Sequence, residues 1–550
     1  MKMPPFRPVT NWSIPTQWPS WKGAKRVAVD LETRDPDLKT QGPGVRTNGR
    51  IIGVGFAIED GPTQYLPVGH EQGPNLDYDK VLSYIRDQFV GTNATIVGAN
   101  LQYDMDYLAQ AGVDVYSRRW FDVQIAEPLI DELQMSYSLD NIALRNGIPG
   151  KDEQQLKAYA EYLGVDPKKG MWRLPSSAVG PYAEQDCRLP LRLARRQERK
   201  LEEFNLGGVF DLETRLQPVL LKMRRRGVRI DLDRVDQVSQ YALQKETEAL
   251  GEITRRTGIR LTTDDTNKTS SWVPVLQMIG VNVPKTATGK DSVTAPFLQT
   301  LNHPIADLIR RVKKFNKLRT TFCVSAARYQ VNGRIHCTFN QLRRPKDDGG
   351  DEEGARYGRL SCTNPNLQQQ PSPDRDPEIG IPLRKIFVPD EGATWACLDD
   401  SQQEPRWLVH FAELIKAERA SEAAEAYRND PNTDNHDMTA TMINPDWPSI
   451  SDPKKKKVER GNAKIINLAL TYGMGEAKLC DSLGLPTEVV VKYGRKRYPL
   501  DSARAQELLA TGEGYRVTVA GPEGRELMER YHKGVPFVRQ FANDAQGRAA

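Results

Sequence analysis

Val27-Ala28-Val29-Asp30-Leu31-Glu32 closes an apolar run with two acids at i and i+2. Strand side chains alternate between faces, so Asp30 and Glu32 project from the same side. Two like charges so placed repel unless a cation sits between them. Alone, such a pair reads as a solvated strand end. Two more acid-bearing segments follow it. In Asn100-Leu101-Gln102-Tyr103-Asp104, which comes after the apolar run 94–99, Asp104 falls in the first turn of the next helix. Tyr182-Ala183-Glu184-Gln185-Asp186 sets a phenol and a carboxylate one helical turn apart, on one face.

In this order, on an alternating strand and helix pattern, the three segments resemble the DEDD-type 3′–5′ exonuclease family with a tyrosine in its third motif. The likeness spans residues 26–200. Hydrolysing a phosphodiester needs an activated water and neutralised charge on the attacking and leaving oxygens. Two Mg2+ or Mn2+ ions about 4 Å apart supply both, and such hard cations take carboxylate ligands. The resemblance implies that Asp30, Glu32, Asp104 and Asp186 hold the metals, that Tyr182 orients the water, and that Asn100 hydrogen-bonds the departing strand end. Ser138–Gly147 resembles a connecting helix of the same domain. Pro190 lies four residues after Asp186 and cannot donate to its carbonyl, so a kink or break is expected there. RNA-trimming exoribonucleases use the same acids, so this region does not name the substrate.

The second half narrows it. Ala396-Cys397-Leu398-Asp399-Asp400-Ser401-Gln402-Gln403-Glu404-Pro405-Arg406 is similar to motif A of family A DNA polymerases, expected at the end of an apolar strand that Trp407–His410 continues. The resemblance makes Asp399 the first palm carboxylate and Glu404 the residue that packs against the incoming sugar and excludes a 2′-OH. Asp400 and Pro405 depart from the usual Tyr and Leu. Arg460-Gly461-Asn462-Ala463-Lys464, continuing to Leu468 and Tyr472-Gly473, resembles motif B, the fingers helix. At 100° per residue these four positions drift about 40° each and form one stripe. Arg460 and Lys464 are then expected to grip triphosphate, with Lys464 also protonating the pyrophosphate, and Tyr472 to lie near the templating base. Leu468 stands where an aromatic ring is usual. His436 aligns with a family histidine near the triphosphate. Gly358-Arg359-Leu360-Ser361-Cys362-Thr363-Asn364-Pro365-Asn366-Leu367-Gln368 resembles the segment that touches the primer–template minor groove, whose acceptors are nearly sequence-independent. Arg359, Asn366 and Gln368 are its expected donors.

None of the six histidines is followed by Asp-Glu, the turn that brings the second palm carboxylate in this family. Polymerisation is therefore expected to need an acid lying beyond residues 1–550. A fragment of a longer protein, a palm completed by a second polypeptide, and a lost activity all remain open at this point.

The elements that must position these residues fall into zones. The implied fold is multidomain, α/β and α+β. Residues 1–25 read as an irregular arm, 26–205 as an RNase H-like exonuclease domain, and 206–335 as a helical, basic thumb. Residues 336–410 read as an incomplete palm, and 411–550 as fingers of a truncated right hand. Asp347–Gly354 reads as an acidic loop. Apolar residues make up 38% and charged residues 27% of the 550, a composition of packed domains rather than membrane or fibrous chains. With Lys+Arg 77 against Asp+Glu 72, the net charge of +5 allows a polyanionic partner without requiring one. Six scattered cysteines suggest reduced thiols, with no disulfide framework or zinc site. The expected protein is a phage-type family A DNA polymerase with proofreading. Its partners would be primer–template DNA, dNTPs, two Mg2+ or Mn2+ per site and replication accessory proteins, in a host cytoplasm and away from membranes. The rivals are a stand-alone 3′–5′ exonuclease and a non-catalytic DNA-binding subunit.

Overall fold

The computed structural model describes residues 11–286, 288–343 and 358–549. The predicted acidic loop 347–354 lies outside the described residues, as does the start of the predicted arm. The chain divides into two compact units, Met1–Trp395 and Ala396–Ala550.

The first unit is organised by five strands: β1 (Arg26–Arg34), β2 (Arg50–Ile58), β3 (Thr63–Pro67), β4 (Thr95–Gly98) and β5 (Trp120–Asp122). Their spatial order is β3-β2-β1-β4-β5, so the acid-bearing strand is central. β1 runs antiparallel to β2 and parallel to β4. Its period-two pattern sorts two cores. Val27, Val29 and Leu31 join Trp21, Phe56 and Phe89 on one face. Ala28 joins Val97, Phe121 and Cys187 on the other, and Asp30 and Glu32 continue that second face.

Helix α1 (Leu101–Gln110) follows β4 and carries Asp104 in its first turn. Helix α2 (Ser176–Glu203) crosses the acid-bearing face of the sheet. It runs unbroken through Pro190, so of the expected kink or break the break is not realised. Leu189, Pro190, Leu191, Leu193 and Ala194 are all buried, and their packing outweighs a missing hydrogen bond and ring clash of about 3 kcal/mol. Residues 11–25 form no helix or strand, yet they are anchored: Trp21 is fully buried, and Trp12 Nε1 donates to Glu184 Oε1 at 2.9 Å.

The middle of this unit is helical, as its periodicity predicts, with α3 (Gly207–Arg226), α4 (Leu232–Thr257) and α5 (Pro304–Lys317). Beyond it, β6 (Thr338–Asn340) pairs with β7 (Ser361–Thr363), Cys362 opposite Phe339.

In the second unit the expected strand character of Ala396–Ser401 is not realised. Residues 393–400 form no helix and pair with no strand among the described residues, and Leu398 is 94% exposed. Nor does Trp407–His410 continue a strand, because it lies inside α6 (Gln403–Leu414). Glu404 sits favourably in that helix's first turn, and Val409 and Ala412, three apart, face the core. The same unit contains α7 (Asn435–Ile443) and α8 (Pro453–Thr471). An unforeseen antiparallel sheet joins β8 (Thr487–Tyr493), β9 (Lys496–Pro499) and β10 (Tyr515–Ala520), in the order β9-β8-β10. Tyr493 pairs with Lys496 across a two-residue turn, in which Gly494 supplies the required positive φ of 56°.

Candidate active site

One carboxylate oxygen each from Asp30, Glu32 and Asp186 lies within 4.8 Å of the other two. β1 presents the first two and α2 the third. Their approach depends on two glycines of β2, since Gly55 stands opposite Asp30 and Gly53 opposite Glu32. A Cβ on Gly55 would lie 2.8 Å from Cys187 Sγ, and one on Gly53 would lie 2.0 Å from the Tyr65 hydroxyl. The alternation Gly53-Val54-Gly55 was the available sequence signal for this clearance, and the motif reading passed over it.

Asp104 stands beside this group rather than in it. It is buried, and its Oδ1 accepts from the Leu31 backbone N–H at 3.2 Å, between the two acids of β1. Asn100 takes the left-handed backbone at φ 62°, preceding α1. Asp122 holds that turn by accepting from the N–H groups of Asn100 and Leu101 at 3.2 and 2.8 Å.

Burial, and then mutual repulsion, perturbs the acids. Asp30 is pushed up to about 7 by burial and by Asp186. Glu32 rises well above the carboxylate range through burial, Asp30 and Asp186. Asp104 does so through burial and Asp30. Asp186 is also raised by burial, against the opposing pull of Lys151. Tyr182, buried beside these charges, is held far above its ordinary range. The sequence reading missed Lys151, whose Nζ donates to Asp186 Oδ2 at 2.6 Å and to the Tyr182 hydroxyl at 3.3 Å. The other oxygen, Asp186 Oδ1, is buried with no hydrogen-bond partner among the described residues. Converging carboxylates, an oxygen-only donor set and one partnerless buried oxygen fit a hard divalent cation.

A cavity of about 530 Å3 opens beside the acids. Glu32, Asn100, Tyr103, Tyr182, Asn340 and Asn364 are among the residues that line it. Arg359, Asn366 and Gln368 are all exposed. Gln368 Nε2 donates to Leu360 O at 3.3 Å and Asn366 Oδ1 accepts from Gln368 N at 3.0 Å, so the segment is folded on itself.

In the second unit, α8 buries Ala463, Ile466, Asn467 and Ala469 and leaves the predicted stripe on its open side. Lys464 and Tyr472 are exposed, and Arg460 and Leu468 half-buried. Arg460 donates to Asp437 Oδ1 and Asp434 Oδ2, both at 2.5 Å, which brings α8 to the N-terminal turn of α7 and so to His436. Burial lowers the His436 pKa; Asp434 raises it, while Lys464 and Arg460 lower it. His436 Nδ1 is buried without a partner among the described residues. Gln402, at φ 55°, ties the start of α6 to the same turn: its Oε1 accepts from Asn435 N at 2.5 Å and its Nε2 donates to Thr433 O at 3.0 Å. Structure therefore gathers His436, Arg460 and Lys464. Asp399 lies on the exposed irregular segment, and Glu404 is exposed in the first turn of α6.

A family model described as DNA polymerase family A matches residues 266–499, and one described as 3′-5′ exonuclease matches residues 19–202. A DNA-directed DNA polymerase of Pseudomonas phage M6 is 48% identical over 98% of this chain and 81% of its own length. The chain belongs to the family A DNA polymerases. It is a DNA-directed DNA polymerase of the phage type that carries a 3′–5′ exonuclease domain ahead of its polymerase region. A DNA polymerase DpoZ of Salmonella phage PMBT28 is 29% identical over 97% of this chain and 80% of its own. DNA polymerase I of Pseudomonas aeruginosa is 26% identical over 90% of this chain and 52% of its own. The fold of this family A polymerase is similar to that of the POL domain of Pol1 from M. smegmatis, solved with primer–template DNA and dNTP. The TM-score is 0.65 at 20% identity, over 96% of this chain and 76% of that one. Among the described residues, no helix is long and apolar enough to cross a membrane.

Proposed function

We propose that the acids of the first unit form the proofreading centre, in which Asp30, Glu32, Asp104 and Asp186 hold two Mg2+ or Mn2+ ions. The observation that carries this reading is the convergence of Asp30, Glu32 and Asp186 on one point. Bound there, the ions supply charge neutralisation and water activation for phosphodiester hydrolysis. The residues do the rest. The Tyr182 hydroxyl orients the attacking water from the helix face it shares with Asp186. Asn100, at the cavity wall, hydrogen-bonds the strand end. Raised pKa values mean that the metal-free cage retains protons, which metal binding displaces.

In the polymerase region, Arg460, Lys464 and His436 bind the triphosphate of an incoming dNTP, with Lys464 placed to protonate the leaving pyrophosphate. Leu468 and Tyr472 continue that surface toward sugar and base. Asp399 serves as a palm metal ligand and Glu404 as the sugar gate, both carried by a segment that Gln402 ties to the His436 turn. Arg359, Asn366 and Gln368 contact the minor groove of primer–template DNA. The proposed boundaries are 26–205 for the exonuclease, 206–335 for the thumb, 336–410 for the palm and 411–550 for the fingers, in a protein acting in a host cytoplasm. The test is excision of a 3′-mispaired primer in Mg2+ by the wild type and by Asp186→Asn. Excision by the first alone supports the assignment, and equal excision by both removes Asp186 from the centre.

A further inference from the structure

Beside four acids sits one ammonium that belongs to none of the recognised motifs. Lys151 lies in the loop between the helix Leu139–Arg145 and the helix Gln154–Leu163, 35 residues from Asp186. Its Nζ is 2.6 Å from Asp186 Oδ2 and 3.3 Å from the Tyr182 hydroxyl, and it stands 5.2 Å from the centre of the Tyr182 ring. Only 15% of the side chain is exposed. The loop is fastened on both sides. Lys151 N donates to Asp140 Oδ1 at 2.8 Å, Asp152 N to Gln185 Oε1 at 3.0 Å, and Gln185 Nε2 to Gly150 O at 3.2 Å. Gln185 immediately precedes Asp186, so the loop that carries the ammonium is stitched to the helix turn that carries its carboxylate. A lysine on a solvated loop would not be delivered this way.

Four carboxylates packed together without a cation repel, and burial magnifies the repulsion. Lys151 supplies a positive charge directly to the metal-free cage. It also divides the work of Asp186: Oδ2 is engaged by the ammonium, while Oδ1 stays buried and unpartnered among the described residues. We propose that Lys151 is a positioning residue of the exonuclease centre, a tethered cation that holds Asp186 and Tyr182 on the cage before divalent ions bind and then competes with those ions for the carboxylates' charge. The proposal rests on the reading of these acids as a metal site.

Two consequences separate this role from ordinary packing. Removing the ammonium while keeping the chain's bulk leaves the metal-free cage unbalanced, and makes it a stronger attractor for metal. Removing it also frees the Tyr182 hydroxyl from its partner, which slows the chemical step rather than metal binding.

The test uses the full chain with Lys151→Met and Lys151→Arg. Thermal melting is followed in EDTA and in saturating Mn2+, Mn2+ binding by electron paramagnetic resonance, and excision as a function of Mn2+ concentration. Lys151→Met should melt below wild type in EDTA, with the gap closing in Mn2+. It should bind Mn2+ about tenfold more tightly, reach half-maximal excision at lower Mn2+, and have a lower maximal rate. Lys151→Arg should restore all four toward wild type. An unchanged Mn2+ affinity with a melting gap that is the same in EDTA and Mn2+ would overturn the proposal and leave Lys151 a packing residue. If Lys151→Met does not fold, Lys151→Gln carries the same comparison. Wild-type protein that binds no Mn2+ lost on Asp186→Asn would bring down the metal-site reading itself, and the role of Lys151 with it.

Discussion

Asp30 and Gly55 face each other across the antiparallel register of β1 and β2, and the absent side chain of the second makes room for the helix that completes the site of the first. A Cβ at Gly55 would meet Cys187 Sγ at 2.8 Å and Ala183 O at 3.3 Å, both on the turns of α2 that carry Tyr182 and Asp186. Gly55→Ala should therefore push α2 off the sheet, at a cost of about 1–3 kcal/mol in stability. Excision should fall about 100-fold, because misplacing reacting groups by an ångström has that effect. A Cβ at Gly91 meets nothing within 4 Å, so Gly91→Ala is the matched control. Equal excision by the two variants would show that the clearance at Gly55 is not needed.

Asp104 has an observed role, as acceptor for Leu31 N–H, and a proposed one, as metal ligand, that substitution can separate. Asp104→Ala removes both the carboxylate and the acceptor for Leu31 N–H, so it should abolish excision and lose about 1–3 kcal/mol of stability. Asp104→Asn keeps an oxygen for Leu31 and should lose excision alone. Single-stranded DNA binding, measured by fluorescence anisotropy in Ca2+, should survive in both. Excision by the Asn variant at the wild-type rate would take Asp104 out of the metal set.

Stability of the metal-free protein should fall as pH rises. Burial raises Asp30 to about 7 and lifts Glu32, Asp104 and Asp186 above their ordinary values. Between the unfolded carboxylate range, about 4, and the folded value near 7, the native state binds more protons than the unfolded one. The slope of unfolding free energy against pH is therefore negative in that window. Melting temperatures in EDTA should drop from pH 5 to pH 8, and Asp30→Asn should flatten the drop. A profile equally steep in that variant would mean that the acids of the cage are not its source.

The acids that the structure brings together were legible because each rests on a local rule. Alternation puts Asp30 and Glu32 on one face, and helical spacing puts Tyr182 and Asp186 on another. What escaped depends on distant partners. The run at Ala396–Ser401 has strand composition, but a strand exists only when a neighbour accepts its hydrogen bonds, and here it stays unpaired among the described residues. Trp407–His410 was drawn into α6 by the spacing of Val409 and Ala412. Pro190 breaks a lone helix but not one packed on both sides. Lys151 had no motif to announce it, since its role comes from a loop folded back onto α2. The sheet of residues 487–520 was within reach, for Val489-Val490-Val491 before Gly494-Arg495 has the composition of a hairpin.

Arg460 makes the polymerase face testable. Its guanidinium is preset by Asp434 and Asp437 rather than left to search. Arg460→Ala should raise the KM for dNTP about 10–100-fold, the worth of one or two charge-assisted hydrogen bonds, with a smaller effect on kcat. Steady-state primer extension across dNTP concentrations measures it. A KM equal to wild type would mean that this stripe does not bind the triphosphate.

The claim beneath the excision predictions is that Asp30, Glu32 and Asp186 share a divalent ion. Crystals soaked in manganese and measured at its absorption edge test it most directly. The account predicts an anomalous peak within ligand distance of all three carboxylates, about 2.0–2.6 Å. Full soaking with no peak between Asp30 and Asp186 would contradict it.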